Sequence, residues 1–219
     1  MIGVLIVDDD AMTREALRDY ISADPTLEVV GEAADGEVAI RQAAALRPDI
    51  VLMDMQMPVL DGVGATTAIH AAHPEIRIIG LTTFATDRYV VPLLRAGASG
   101  YLVKDTRPRE ILAAIHAVLS GESVLSPEVT RHAVTALQES APAPVGRDEA
   151  LAAIFTDKEL DVIELLGRGL GNLQMAEQLH VAESTVKARL VKIAAKLGVH
   201  DRVQILVIAV VHGLVELRD

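Results

Sequence analysis

Three short apolar runs in this chain each end in charged residues, and this pattern limits the possible folds more than any other feature. The runs and the residues that follow them are 4–7 with Asp8, Asp9 and Asp10, 50–53 with Asp54, and 101–103 with Lys104. Strands buried in a parallel sheet read as continuous apolar runs. Open α/β sheets place their functional groups just beyond the carboxyl ends of such strands. The sequence therefore predicts that these distant charges meet at one edge of a parallel sheet.

The order of segments over roughly the first half of the chain supports this fold. Predicted strands lie near 2–7, 27–33, 49–54, 76–82 and 99–103, and predicted helices near 11–23, 36–47, 61–73, 86–97 and 108–120. Strands that alternate with helices in this way form βαβ units, in which the strands are parallel and the helices cover both faces of the sheet. The expected fold class is α/β, with a five-stranded parallel doubly wound domain first.

The rest of the chain predicts a second, all-α domain. Ser126-Pro127 is typical of a helix start and predicts a helix to about Gln138, and the Pro/Ala/Gly-rich residues 140–146 indicate a linker. Four amphipathic helices follow. We therefore expect a first domain at 1–122, a helix and linker at 123–150, and a helical domain at 151–219.

Composition narrows the classes of protein. The chain has 219 residues, 51% of them hydrophobic, and no cysteine, which excludes disulfides and thiolate metal sites. The longest apolar run, 205–211, is far shorter than the ~20 residues that cross a bilayer, and no signal peptide is visible. A cytoplasmic protein without membrane contacts is expected. Of the net charge of −11, residues 1–137 carry −8 and residues 151–219 only −1, so only the second domain is suited to nucleic acid.

The chemistry of the charged strand ends favours a phosphoryl-transfer site. Adjacent carboxylates repel one another, and Mg²⁺, which prefers oxygen ligands and often bridges to a phosphate, relieves that repulsion. Lys104 supplies a point charge for a phosphoryl oxygen, and Asp54 can act as the oxygen nucleophile. Thr82 ends a fourth strand at the same edge. The simpler interpretation is that each aspartate caps the next helix, as we expect for Asp10, but it does not account for the set.

Residues 1–120 resemble the receiver domain of two-component response regulators. The matching stretches are 7–9, 54–58 with 61–62, 81–82 and 97–104, which read V-D-D, D-M-Q-M-P with D-G, L-T and G-A-S-G-Y-L-V-K. The resemblance implies a flavodoxin-like fold and phosphorylation of Asp54 by a histidine kinase. It also implies that Asp9, Asp54 and the Gln56 carbonyl ligate Mg²⁺, that Asp8 acts through a water, that Lys104 pairs with the phosphoryl group, and that Thr82 and Tyr101 form a switch pair.

Two residues depart from the receiver pattern. Pro92 lies inside the predicted fourth helix, where a proline removes a hydrogen bond and is expected to kink the helix at a cost of ~3 kcal/mol. Phe84 lies two residues after Thr82, and we hypothesise that its bulk slows the attack of water on a phosphoaspartate. A phosphate lifetime that does not shorten in Phe84→Ala would contradict this hypothesis.

The third helix of the second domain carries one apolar and one basic stripe. Its apolar residues are Val186, Leu190, Ile193 and Leu197, and its basic residues are Lys187, Arg189, Lys192 and Lys196. A recognition helix presents its N-terminal residues to bases, while flanking basic residues hold phosphates. A solvated charged face is the alternative interpretation.

Residues 155–215 resemble the LuxR-type helix-turn-helix of NarL/FixJ response regulators. The matching stretches are 155–159, 169–172, 181–187 and 196–199, which read F-T-D-K-E, G-L-G-N, V-A-E-S-T-V-K and K-L-G-V. The resemblance implies that Lys187, Ala188 and Val191 face the DNA groove and that Thr185, Arg189, Lys192 and Lys196 lie on or near phosphates. Gly171 and Ala182 stand where the family usually has a capping serine, a loss worth ~1 kcal/mol each unless Asn172 and Ser184 substitute.

The weak net charge of this domain indicates that two copies are needed for firm DNA binding. A dimer doubles the phosphate contacts and reads a palindrome or repeated half-sites. Val203, Leu206, Val207 and Val210 on the fourth helix either form the dimer seam or close the domain's own core.

The sequence as a whole predicts a transcriptional regulator rather than an enzyme. Phosphorylation of Asp54 would shift the receiver surface and promote binding of a homodimer to promoter DNA, with RNA polymerase left open as a further partner. Two alternatives stay open: a receiver that serves only as a constitutive dimerisation module, and an α/β phosphohydrolase that uses Asp54 as nucleophile.

Overall fold

The computed structural model describes residues 1–83, 89–121 and 147–215. The chain divides into two compact units, 1–124 and 125–219, each of which is described by itself. The predicted helix at 126–138, the predicted linker at 140–146 and Phe84 lie outside the described residues, as does the start of the predicted fourth helix. Among the described helices none is both long and apolar enough to cross a bilayer.

The first unit is a parallel sheet whose strands alternate with helices, as predicted. Its strands are β1 (Ile2–Val7), β2 (Leu27–Ala33), β3 (Ile50–Asp54), β4 (Arg77–Thr82) and β5 (Gly100–Val103). Its helices are α1 (Ala11–Ser22), α2 (Gly36–Leu46), α3 (Gly62–Ala72), α4 (Val90–Arg95) and α5 (Pro108–Leu119). The strand order is β2-β1-β3-β4-β5, and all four pairings are parallel, which confirms the predicted doubly wound fold.

The register of the sheet brings the charged strand ends together. Val7 of β1 pairs with Met53 of β3, and Thr82 of β4 pairs with Val103 of β5. The residue after β1, the last residue of β3 and the residue after β5 therefore lie along one edge. Apolar side chains of β1, β3 and β4 are buried against α1 and α5, and because these strands are parallel, the charges that follow the apolar runs lie at one edge of the buried sheet.

The helices of this unit begin where the sequence offers capping aspartates. Asp10 accepts a hydrogen bond from the Met12 backbone N–H at 3.1 Å, and Asp35 and Asp61 cap α2 and α3 in the same way. Each cap satisfies a backbone donor that the first turn of a helix leaves unpaired. Asp10 is thus a helix cap, as expected from its position.

The prediction that Pro92 kinks the fourth helix is wrong. In the structure α4 begins at Val90, so Pro92 is its third residue and lies in the first turn. Backbone N–H groups of the first turn have no intrahelical acceptor, and a proline there removes no hydrogen bond. The Leu93 N–H donates to the Tyr89 carbonyl at 2.9 Å, and the helix continues to Arg95.

The described part of the second unit is all helical. Its elements are α6 (Glu149–Ala152), α7 (Asp157–Gly167), α8 (Asn172–Gln178), α9 (Glu183–Leu197) and α10 (Arg202–Val211). Val186, Leu190 and Ile193 of α9 are buried, which confirms most of the apolar stripe. Gly198 ends α9 with a φ of 69°, a left-handed conformation that glycine adopts without steric cost.

Candidate functional site

Three carboxylates from two strand ends converge in the first unit. Asp8, Asp9 and Asp54 each offer an oxygen, and these oxygens all lie within 4.8 Å of one another. Asp8 and Asp54 are buried, whereas Asp9 is exposed to solvent. The convergence that the strand ends predicted is therefore present, with one of the three groups accessible from outside.

Lys104 lies between the two buried carboxylates. Its Nζ is 2.8 Å from Asp8 Oδ2 and 3.1 Å from Asp54 Oδ2. One ammonium thus faces two carboxylates, and the exposed Asp9 adds a further negative charge. The pocket keeps an excess of negative charge, which favours a cation.

Burial and charge shift the ionisation of this pocket. Burial, followed by repulsion from Asp8, raises the pKa of Asp54, although Lys104 opposes the shift. For Lys104, burial alone would lower the pKa, but hydrogen bonds to and attraction by Asp8 and Asp54 outweigh it and raise the pKa above its usual value. Burial and Asp8 therefore favour the neutral carboxyl of Asp54, whereas the Lys104 ammonium favours its ionised form.

The geometry of the acidic oxygens suits a divalent cation. The backbone N–H of Asp10 donates to Asp8 Oδ1 at 3.0 Å, and the N–H of Gln56 donates to Asp54 Oδ1 at 3.3 Å. Asp8 Oδ2 is buried, and the Lys104 ammonium lies 2.8 Å from it. A buried carboxylate oxygen with spare lone pairs next to two other carboxylates is a donor set that Mg²⁺ prefers.

The loop that leaves Asp54 needs a glycine at position 62. A Cβ there would lie 2.1 Å from the Asp54 carbonyl oxygen, and the Gly62 N–H donates to the Met55 carbonyl at 3.2 Å. Within the same loop Val59 has a φ of 68° and is largely exposed, a conformation that is unusual for a β-branched residue. The glycine of the Asp61-Gly62 motif therefore has a steric reason, whereas Asp61 caps α3.

The predicted switch residues are buried on neighbouring strands. Thr82 and Tyr101 are 2% and 4% exposed, and Gly80 rather than Thr82 pairs with Tyr101 in the register. Their role as a switch pair stays a prediction, as does ligation by the Gln56 carbonyl.

Sequence reasoning missed Arg14. Its Nη1 donates to the Asp8 carbonyl at 2.7 Å, and Glu32 of β2 lies 3.4 Å from its Nε. Arg14 therefore ties the backbone of the acidic pair to α1. Arg14 lies four residues after the helix cap Asp10, and residues with this spacing are neighbours on a helix. This spacing could have predicted that Arg14 lies near the acidic residues.

The predicted DNA-contact residues of α9 form two groups. Exposed side chains belong to Lys187, Ala188, Val191 and Lys192, while Thr185 and Arg189 are half-buried. Lys187 Nζ lies 3.2 Å from the Glu183 carboxylate, one turn earlier. Most of this set is thus presented to solvent, as a DNA-reading surface requires.

Lys196 is also exposed, but its ammonium contacts other groups of the same unit. Its Nζ donates to Glu159 at 2.6 Å and to the Ile154 carbonyl at 2.9 Å. The same atom lies 5.7 Å from the centre of the Phe155 ring.

The helix starts of this unit show how the missing capping serines at positions 171 and 182 are replaced. Ala182 precedes α9 without a side-chain cap. Before α8 the Gly171 N–H donates to Gln174 Oε1 at 2.9 Å, while Asn172 accepts a hydrogen bond from buried Arg202 at 3.1 Å. Asn172 therefore packs inside the unit instead of capping.

Comparison with known proteins identifies the chain. A family model for the response regulator receiver domain matches residues 4–116, and one for bacterial regulatory proteins of the luxR family matches residues 153–209. The chain is a LuxR-type response regulator. The uncharacterized transcriptional regulatory protein YxjL of Bacillus subtilis is 41% identical over 219 residues and 98% of both chains. Response regulator protein VraR of Staphylococcus aureus is 36% identical over 215 residues, which cover 98% of this regulator and 99% of VraR.

Solved structures agree with this family. The response regulator ChrA of a heme-sensing two-component system is 31% identical, with a TM-score of 0.52, and the match covers 97% of this regulator and 98% of ChrA. A LuxR-family response regulator from Aurantimonas is 34% identical, with a TM-score of 0.57, over 61% of this regulator and 96% of that chain. The regulator thus combines a receiver domain with a helix-turn-helix domain, a combination consistent with transcriptional regulation.

The fourth helix of the DNA-binding domain is covered within one chain of the regulator. Val203, Leu206, Val207 and Val210 of α10 are all buried. Of the two roles considered for these residues, closing the domain's own core fits this burial. A dimer seam would need apolar residues of α10 that stay accessible, such as Val211.

Proposed function

We propose that Asp54 of this regulator accepts a phosphoryl group from a histidine kinase and that this modification promotes binding of a dimer to promoter DNA. The observation that carries the proposal is the convergence of Asp8, Asp9, Asp54 and Lys104 at one edge of the sheet. The match to both the receiver and the luxR families links this site to a kinase partner and to DNA.

The chain's own residues supply most of the phosphotransfer chemistry. A carboxylate oxygen of Asp54 attacks the phosphorus of a phosphohistidine, a P–O bond forms as the P–N bond breaks, and the released imidazole takes up a proton. Lys104 is placed to follow the phosphoryl oxygens, because its ammonium already lies 3.1 Å from Asp54 Oδ2. The Asp10 and Gln56 N–H groups hold the carboxylates in position.

The acidic oxygens of Asp8, Asp9 and Asp54, together with the Gln56 carbonyl, would hold Mg²⁺. When bound, the ion neutralises charge that builds up on the phosphoryl oxygens. Three carboxylates that face the single ammonium of Lys104 support this assignment.

Phosphorylation would act on the rest of the molecule through the receiver surface. The added charge and acceptor oxygens would draw Thr82 toward Asp54 and change the space available to Tyr101, which biases two packings of one face. Pairing of two regulators would then double the phosphate contacts of a nearly neutral domain. Contact with RNA polymerase is a further step that follows from promoter binding.

Intact mass, sedimentation and DNA binding test this proposal together. The full-length protein is treated with acetyl phosphate with or without Mg²⁺, and binding to a mixed-sequence DNA duplex is followed by fluorescence anisotropy. We expect one phosphoryl group per chain, a shift toward dimer, and tighter DNA binding, all dependent on Mg²⁺ and all lost in Asp54→Asn.

A matched control lies directly before the same strand. Asp49 precedes β3 at the opposite edge of the sheet, where its Oδ2 accepts a hydrogen bond from the Gly3 N–H at 2.7 Å, and Asp49→Asn should behave like the wild type. Phosphoryl incorporation that persists in Asp54→Asn would refute the assigned acceptor. Equal DNA affinity before and after modification would favour the constitutive dimerisation module, and turnover of phosphate esters would favour the phosphohydrolase.

We propose that phosphotransfer to Asp54 and slow loss of that phosphate are the only chemistry of this regulator, and that it is otherwise not an enzyme.

A further inference from the structure

We propose that Lys196 is a positioning residue that holds the recognition helix α9 against α7, and that it is not a contact to DNA phosphates. This inference rests on the proposed DNA-binding function, and it assigns Lys196 a role opposite to the one that the basic stripe predicts. The two roles differ in which partner the ammonium uses, and salt titration can distinguish them.

Three groups of the same domain lie next to the Lys196 ammonium, although the side chain is 35% exposed. It donates to Glu159 at 2.6 Å and to the Ile154 carbonyl at 2.9 Å, and the Phe155 ring lies 5.7 Å away. A lysine that pairs with a carboxylate, a carbonyl and an aromatic face has its donors directed inward. A lysine that serves only to attract phosphate needs no such partners within its own domain.

The partner carboxylate is itself part of a helix start. Glu159 is only 6% exposed and accepts a hydrogen bond from the Thr156 N–H at 2.9 Å, as in a capping box. The hydrogen bond from Lys196, followed by that of the Thr156 backbone, lowers the pKa of Glu159. Loss of the ammonium would therefore leave a buried carboxylate without its cation, which is costly.

The position of Lys196 makes this contact relevant to DNA reading. Lys196 is in the last turn of α9, whereas the residues expected at the groove, such as Lys187 and Ala188, lie in its first two turns. The ion pair joins the far end of the helix to the start of α7, 37 residues earlier in the chain. It thereby fixes the orientation from which the first turns project.

Lys192 is the matched control, since it lies one turn before Lys196 on the same helix and is exposed. Full-length wild type, Lys196→Met, Lys192→Met and Glu159→Gln are treated with acetyl phosphate and Mg²⁺. Binding to a mixed-sequence DNA duplex is measured by anisotropy over a range of KCl concentrations, and hydrogen exchange of α9 is measured by mass spectrometry.

We expect Lys192→Met to reduce the slope of log K against log salt by about one per bound chain, because one phosphate contact is lost. Lys196→Met should leave that slope unchanged, weaken binding by roughly three- to tenfold, and speed exchange in the last turns of α9. Glu159→Gln keeps every cation and should likewise weaken binding at unchanged slope.

The opposite results are equally distinct. A slope reduced by about one in Lys196→Met, or tighter binding in Glu159→Gln because a competing carboxylate is gone, would overturn the proposal. If Lys196→Met does not fold, Glu159→Gln alone still decides by the sign of its effect. If the wild type does not bind DNA, the proposed function fails. Hydrogen exchange in Glu159→Gln then tests the positioning role of Lys196 separately, and unchanged exchange in α9 would refute it.

Discussion

Replacing Lys104 by methionine should expose the electrostatic cost of the acidic pocket. The ammonium lies 2.8 Å from Asp8 and 3.1 Å from Asp54, whose side chains are 0% and 4% exposed. Removing one partner of a buried ion pair costs about 3–5 kcal/mol. Because Lys104 itself is 23% exposed and Asp54 can take up a proton, we expect the lower end, about 3 kcal/mol at about pH 8.

The loss should depend on pH with a definite sign. The pKa of Asp54 is raised in the folded protein by burial and by Asp8, and without Lys104 it should rise further. A carboxyl whose folded pKa lies above its unfolded value destabilises the protein when ionised, and this penalty disappears as the pH falls below the folded pKa. The variant should therefore lie closer to the wild type at about pH 5 than at about pH 8.

Mg²⁺ should restore much of the loss, since a divalent cation replaces the missing positive charge. A ligand that binds only the folded state at about 100 times its Kd stabilises by roughly 2.7 kcal/mol. With no ammonium competing for Asp8 and Asp54, the variant should also bind Mg²⁺ more tightly than the wild type.

Tyrosine fluorescence during urea unfolding measures this effect in the whole protein. The chain has no tryptophan, and its three tyrosines, Tyr20, Tyr89 and Tyr101, all belong to the receiver, so the signal reports that domain alone. At a denaturant sensitivity of about 1.5–2 kcal/mol per M, the urea midpoint should fall by about 1.5–2 M. The exposed cation of Arg109 provides the control variant Arg109→Met. A midpoint that is unchanged, or that Mg²⁺ does not restore, would refute the electrostatic account.

Two further predictions use the same assay. Gly62→Ala places a Cβ 2.1 Å from the Asp54 carbonyl oxygen and should cost about 3 kcal/mol and slow phosphoryl incorporation, and an unchanged urea midpoint would contradict this steric argument. Hydrogen bonds from Thr26, then His116, lower the pKa of Asp24 to about 2, so its stabilisation is present above its usual value of 3.8 and is lost as the pH falls toward 2. In Asp24→Asn the acid-induced fall of the urea midpoint over that range should be shallower, and an identical fall would contradict the assignment.

The sequence alone predicted the sheet and the meeting of its charges. The strands β1, β3 and β5 each contain an apolar run, and a charge directly after such a run must lie at the carboxyl edge of a parallel sheet. The meeting of Asp8, Asp54 and Lys104 could therefore be predicted without knowledge of tertiary contacts. The caps Asp10 and Asp61 are likewise local, because the backbone N–H groups that donate to them lie within three residues.

Only the tertiary structure decided what a helix face meets. The basic stripe of α9 does not reveal that Lys196 pairs with Glu159, since that depends on how α9 packs on α7. The apolar residues of α10 could cover a core or a partner, and Arg14 could face solvent or the Asp8 carbonyl. Periodicity reports that a helix has two faces, whereas the identity of the neighbour follows from packing between segments that are far apart in the chain.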